Sequence, residues 1–191
     1  RRGQEPAQRR TWGGSGRAGS AARALIDLDP FAGRQPHADM LDRQHPRDLF
    51  DVWQLYESGD ISDGMVECFV IYLAGHNRPP HEVLFGNDKD IAGEYERAFV
   101  GMTEVDCSLE TLLDARARMR RELPQRLSTA HKQFLSGLAR GEPDWSLVQC
   151  QHAAQLPALR WKLANLETFR KRRPDDFAAQ SAALDTGLGQ S

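Results

Sequence analysis

Residues 41–53 read LDRQHPRDLFDVW (Leu41 to Trp53), and the reading of the whole chain turns on that stretch. Pro46 suits the first position of a helix, where its missing N–H costs nothing and its fixed φ is already helical. The apolar residues after it recur at helical spacing, and Gly59 closes the run. On a wheel of about 100° per residue, Leu49, Phe50, Val52, Trp53 and Tyr56 fill one broad arc. Arg47, Asp51, Gln54 and Ser58 fill the other, with Asp48 at its edge. Leu55 falls between Asp48 and Asp51, so part of the polar arc is expected to be covered. Asp48 and Asp51 are three residues apart, close enough for both carboxylates to point into one cleft. Two meanings fit these charges. One is structural: Asp48 meets the positive pole of the helix, and Arg47 with Asp51 makes an i, i+4 pair, each worth roughly 0.3–0.5 kcal/mol. The other is a polar site built on the first turns of a helix. These residues alone leave both open, and the structural meaning is the commoner one.

Outward from there the chain stays helical. Ser62 or Asp63 opens SDGMVECFVIYLAG, with Val66, Phe69, Val70 and Leu73 at helical spacing, and Gly75, Asn77 and the RPP of residues 78–80 mark its end. PPHEVL predicts a short helical turn. KDIAGEYERAFVGM places Ile91, Tyr95, Ala98 and Met102 on one face. Ser108 predicts the N-cap of LETLLDARARMRREL, and Pro124 is expected to kink or end that helix. Ser128 caps STAHKQFLSGLARG, which Gly141 ends. PALRWKLANLETFRKRR starts at Pro157, carries Leu159, Leu163, Leu166 and Arg170 along one face, and stops before Pro174 with cations at its negative pole. DDFAAQSAALDT is a weaker segment that fades into a Gly-rich end. No alternating strand and no internal repeat is found. The fold class is therefore all-α, a bundle-like domain of about seven helices with disordered N-terminal and C-terminal tails. Its expected divisions are a leader over residues 1–37, a helical lobe over 38–173 and a weakly helical tail over 174–191.

Composition sets the limits. The 191 residues suffice for one domain with a real core. The net charge of −2 gives no argument for nucleic acid, and no DNA partner is expected. No apolar run is long enough to span a bilayer. Cys68, Cys107 and Cys150 lie far apart, which suits a reduced, cytoplasmic compartment rather than a disulfide framework or zinc ribbon. The first 23 residues hold six arginines, one acid and many Gly, Ser and Ala, too little apolar surface to offset the entropy of ordering. The sequence begins with Arg1 rather than Met, which reads as a fragment, a processed product or a truncated gene.

Other candidates weigh less. His76 and His81 flank NRPP, but no third or fourth metal ligand is spaced to join them, so a loop cap or a surface histidine is expected. No metal ligand is assigned anywhere. The basic runs ARARMRREL (115–123) and RKRR (170–173) could meet an RNA backbone, although a solvated helix face is the commoner meaning. Trp145 and Trp161 could stack bases, but packing is the expected role of both. His131 and His152 have no catalytic partner at a telling spacing.

DRQHPRDLFDVWQL, IYLAGHNRPPHEVL, FVGMT, RGEPDWSLV and LPALRWKLANL, in this order, resemble the C-terminal part of the AbiEii/AbiGii toxin family. The resemblance covers roughly Leu41 to Glu167. The R-D-x-x-D element (Arg47, Asp48, Asp51) is short by itself, and the five ordered blocks give the match its specificity. The resemblance implies a bilobed nucleotidyltransferase-like toxin of abortive-infection and toxin–antitoxin systems. An N-terminal α/β lobe there carries a Gly-Ser element and a D-x-D pair that binds metal ions. A C-terminal helical lobe closes the cleft with the R-D-x-x-D helix and a nearby lysine. The implied cofactors are Mg²⁺ and an NTP, with tRNA as acceptor in some members and an antitoxin encoded nearby. By this resemblance Asp48 and Asp51 are the catalytic residues, and Arg47 and Arg34 bind the nucleotide.

The chain departs from that pattern in two places. GGSG (13–16) and Asp27 with Asp29 lack the strand and turn that would make them a Gly-Ser and D-x-D site. Gly33 and Arg34 stand, at altered spacing, where the family has Gly-Lys. The expected product is thus a truncated toxin that keeps the helical lobe and is inactive alone. The alternative is a non-enzymatic helical module that binds RNA or protein.

Overall fold

A computed structural model describes residues 38–190, apart from Asp60. Nine α-helices and two 3₁₀ turns make up these residues, with no strand among them. The helices are α1 (Ala38–Arg43), α2 (Pro46–Ser58), α3 (Asp63–Gly75), α4 (Pro80–Phe85), α5 (Ala92–Ala98), α6 (Leu109–Arg126), α7 (Thr129–Ala139), α8 (Pro157–Arg172) and α9 (Pro174–Leu188). The turns cover Trp145–Leu147 and Ala153–Gln155. The all-α class holds, and seven of the nine helices have seven residues or more. The leader, with Arg34 in it, lies outside the described residues.

Local chemistry starts these helices as the sequence dictates. Ser62, Ser108 and Ser128 accept hydrogen bonds from the amides of Met65 (3.3 Å), Thr111 (3.2 Å) and His131 (3.1 Å). Each thereby satisfies one of the free N–H groups of a first turn. Pro46, Pro80, Pro157 and Pro174 open α2, α4, α8 and α9.

Three expectations need correction. α6 runs past Pro124 to Arg126. The proline falls in the last turn, where it forfeits one intrahelical bond and has little helix left to break. Met102 does not share the buried face of α5: the helix stops at Ala98, and Met102 is 53% exposed. The segment after Pro174 is no weak tail but a fifteen-residue helix. Its Phe177, Ser181, Leu184 and Leu188 form a buried helical stripe. Ser181 Oγ lies 3.2 Å from the Ala139 carbonyl, and Ser136 donates to Gln190 at 3.0 Å, which ties α9 to α7.

α3 is the central helix. It buries a broad face between Met65 and Gly75, with Cys68, Ile71 and Tyr72 half-buried on the other side, and packs on α7 and α8. The core divides into two clusters. The larger gathers Val52 and Leu55 of α2, Val66, Phe69, Val70 and Leu73 of α3, Leu135 and Leu138 of α7, Leu159 of α8 and Leu184 of α9. The smaller holds Leu49, Ile91, Phe99, Cys107 and Leu112. Helix α2 serves both: Leu49 faces the small cluster, Val52 and Leu55 face the large one, and Trp53 touches each. Between α1 and α2, Gln44 has φ 53°, the one positive φ at a non-glycine among the described residues. Such a backbone costs a side-chain-bearing residue roughly 1–2 kcal/mol.

Candidate functional site

The start of α2 gathers the charged groups singled out in the sequence. His45 is the N-cap, and its Nδ1 accepts from the Arg47 amide at 3.2 Å. Its Nε2 lies 3.3 Å from Glu94 of α5. Asp48, in the first turn, takes two hydrogen bonds from Arg43 at the end of α1 (3.1 and 3.3 Å). Arg43 is largely exposed, so this pair is open to exchange with solvent.

Arg47 does not make its expected pair with Asp51. Its guanidinium swings to α5 and the loop after it, donating to Met102 Sδ at 2.9 Å and reaching the Ala98 carbonyl at 3.5 Å. Asp51 lies at the surface with no hydrogen-bond partner among the described residues. Partial withdrawal from water pushes its pKa above the ordinary carboxylate value, and the like charge of Asp48 pushes the same way. The two carboxylates thus share one surface and feel each other's charge. Leu55 is buried in the large cluster, so the polar arc is interrupted as its position on the wheel implies.

Asp48 and Asp51 do not fit a metal site of their own. One is engaged by an arginine, and no group of three or more His, Cys, Asp or Glu among the described residues could hold an ion.

Sequence reasoning missed three buried polar centres. Lys162, 5% exposed, donates from α8 to the carbonyls of His76 (2.8 Å), Asn77 (3.4 Å) and Arg78 (2.9 Å). It satisfies the loop after α3, and burial lowers its pKa to about 8, with Glu82 pulling the other way. Glu67, 8% exposed, accepts from His131 Nε2 at 2.9 Å and from the Gln149 amide at 2.7 Å. His131 Nδ1 meanwhile lies 3.4 Å from the Ser128 amide, which leaves the proton on Nε2. Gln44 and Arg116 form the third centre, under the corner before α2. A signal existed for Glu67 and Lys162, though none set Arg116 apart from its cationic neighbours. Glu67 stands alone in an apolar helix, Lys162 interrupts the Leu159–Leu166 stripe, and a buried charge demands partners.

Most of the remaining candidates are absorbed by structure. His76 is a loop cap, its Nδ1 accepting from the Arg78 amide at 3.1 Å. Arg78 itself pairs with Glu82 and Asp42. In the first basic run Arg116 is buried, Arg118 lies 3.9 Å over the Tyr56 ring, and Arg120 meets Asp88 at 2.7 Å. In the second, Arg170, Lys171 and Arg173 pair with Glu142, Glu167 and Asp176. Trp145 packs on Phe134 at 5.7 Å, as expected. Trp161 does not pack inside: it is 53% exposed, on the outer face of α8.

A helical chain with an Arg-Asp-x-x-Asp element at the start of a two-sided helix matches one family model, described as the nucleotidyl transferase AbiEii toxin of a Type IV TA system. The match spans residues 36–165, about two thirds of the chain, and ends inside α8. The chain belongs to this family of nucleotidyltransferase-like toxins. No curated protein and no solved structure matches it. Among the described residues no helix is long and apolar enough to cross a membrane.

Proposed function

We propose that the described helices form one wall of the nucleotide cleft of an AbiEii-type toxin, with the first turns of α2 facing the nucleotide. The carrying observation is the pair of carboxylates on one surface, Asp48 held by Arg43 and Asp51 without a hydrogen-bond partner among the described residues. In this reading Asp48 and Asp51 orient the NTP or a cation upon it. Arg47, released from Met102, and Arg43, released from Asp48, offer charge to its phosphates. A donor set able to hold Mg²⁺ is not found among the described residues, so a Gly-Ser and D-x-D lobe would supply it, and the helical wall alone transfers nothing. The acceptor is tRNA. The toxin works in the cytoplasm in an abortive-infection system, with an antitoxin as its genetic partner. The three free cysteines accord with that compartment. The module reading draws less support, because most cations of the two basic runs are already paired or buried.

The test incubates the purified chain with labelled NTPs, Mg²⁺ and total tRNA. No label is expected in the RNA. Adding the α/β lobe of a relative in trans should give transfer, and Asp48→Ala or Asp51→Ala should abolish it. Strong Mg²⁺-dependent labelling by the chain alone would overturn the reading.

A further inference from the structure

We propose that Gln44, with Arg116, is a positioning residue for the Arg47–Asp48–Asp51 surface. The inference rests on the reading of α2 given above and extends it to the corner that aims the helix. Gln44 stands between Arg43, the partner of Asp48, and His45, the N-cap of α2. It is 2% exposed and holds φ 53°, a backbone that glycine or asparagine adopts more readily. Its side chain explains the choice. The amide nitrogen donates to the Asn87 carbonyl at 3.0 Å. The amide oxygen accepts from the Lys89 amide at 2.9 Å and from Arg116 at 3.0 Å. Arg116, 7% exposed, donates also to the Lys89 carbonyl at 2.8 Å, with Asp88 at 3.6 Å from its Nε. Arg120 adds an ion pair to the same Asp88.

The corner is thus held from α6 and from the segment between α4 and α5. Filling space would not require this. A packed residue needs no left-handed backbone, and a buried amide with three bonds fixes direction as well as position. What it fixes is the reversal that lays Arg43 on Asp48. Without the amide, residue 44 loses its ties to α6 and to the segment between α4 and α5, the corner is free to reorient, and Asp48 loses its arginine.

The full chain, labelled with ¹³C at aspartate carboxylates and ¹⁵N at arginine, tests this without any nucleotide. Gln44→Gly suits the backbone and removes only the amide. Its helical signal should stay as in the wild type, while the Arg43 Nη–H signal loses its paired position. The Asp51 titration midpoint should rise by about 0.3–0.5 pH units, because Asp48 beside it is no longer neutralised. Gln44→Glu keeps the bonds from Lys89 and Arg116 but sets a carboxylate oxygen against the Asn87 carbonyl, so it should not restore the wild-type curves. If Gln44→Gly fails to fold, Arg116→Lys is read in its place with the same expected shifts. Unchanged Asp51 and Arg43 signals in the folded variant would overturn the proposal and leave Gln44 a packing residue. That result would not touch the nucleotide reading, and a failure of the transfer experiment would not touch this one.

Discussion

Lys162 illustrates what a single residue can carry. Its ammonium has three N–H groups and meets three carbonyls of the loop after α3, so it acts as a C-terminal cap supplied from another helix. Lys162→Met keeps the length and apolar stem but leaves those carbonyls to water or to nothing. A loss of about 2 kcal/mol is expected in urea unfolding at pH 7. The pH dependence has a definite sign. The folded pKa is about 8 and the unfolded one is the ordinary 10.5, so between them the unfolded chain binds more protons. The wild type should therefore gain stability as pH rises through that window, and the methionine variant should lack the gain. A flat difference between the two proteins from pH 7.5 to 10 would contradict the burial of the charge. At this scale the sequence showed the anomaly, a lysine in an apolar stripe, but not its partners. These lie more than 80 residues away. Arg47 fails the local rule for the same reason: Ala98 and Met102, distant in sequence, outcompete Asp51.

At the scale of elements, α2 separates residues that hold the fold from residues that face outward. Leu49 is fully buried in the small cluster, and Leu49→Ala should cost about 3–4 kcal/mol. Asp51→Ala should change stability by no more than about 0.5 kcal/mol, since the carboxylate makes no bond among the described residues. Thermal melts of both variants check this. Losses of equal size would make the polar surface structural and remove it from the candidate site. Helix starts were legible because a serine or proline at a first turn acts within four residues. The strength of α9 was not. Its stripe of Phe177, Ser181, Leu184 and Leu188 is thin in apolar mass, and it becomes decisive only against α4, α7 and α8.

Over the whole molecule, the all-α class followed from spacing alone, because helical periodicity is a local property. The assembly did not. Nothing in the R-D-x-x-D stretch announces that α2 packs along α6, or that the basic run on α6 turns inward to brace the corner before α2. Arg116 reads as a surface cation beside its neighbours, yet it is among the most buried polar residues described. The polar surface of α2 is likewise legible as a wheel pattern, while its mouth is set by Arg43, Glu94 and Met102, which come from three other segments.

The double membership of α2 has a consequence for how the molecule opens. Two apolar clusters with separate walls would come apart independently, each with its own amide-exchange free energy. Here Leu49 closes one and Val52 and Leu55 close the other, three turns or fewer apart on one rod. Neither can admit water without displacing that rod, so the amides of Val70 and Leu112 should exchange with the same free energy. Leu49→Ala should lower both by equal amounts, although Val70 does not belong to the cluster that loses the leucine. If only Leu112 responds in native-state hydrogen exchange, the molecule is two cooperative units and not one.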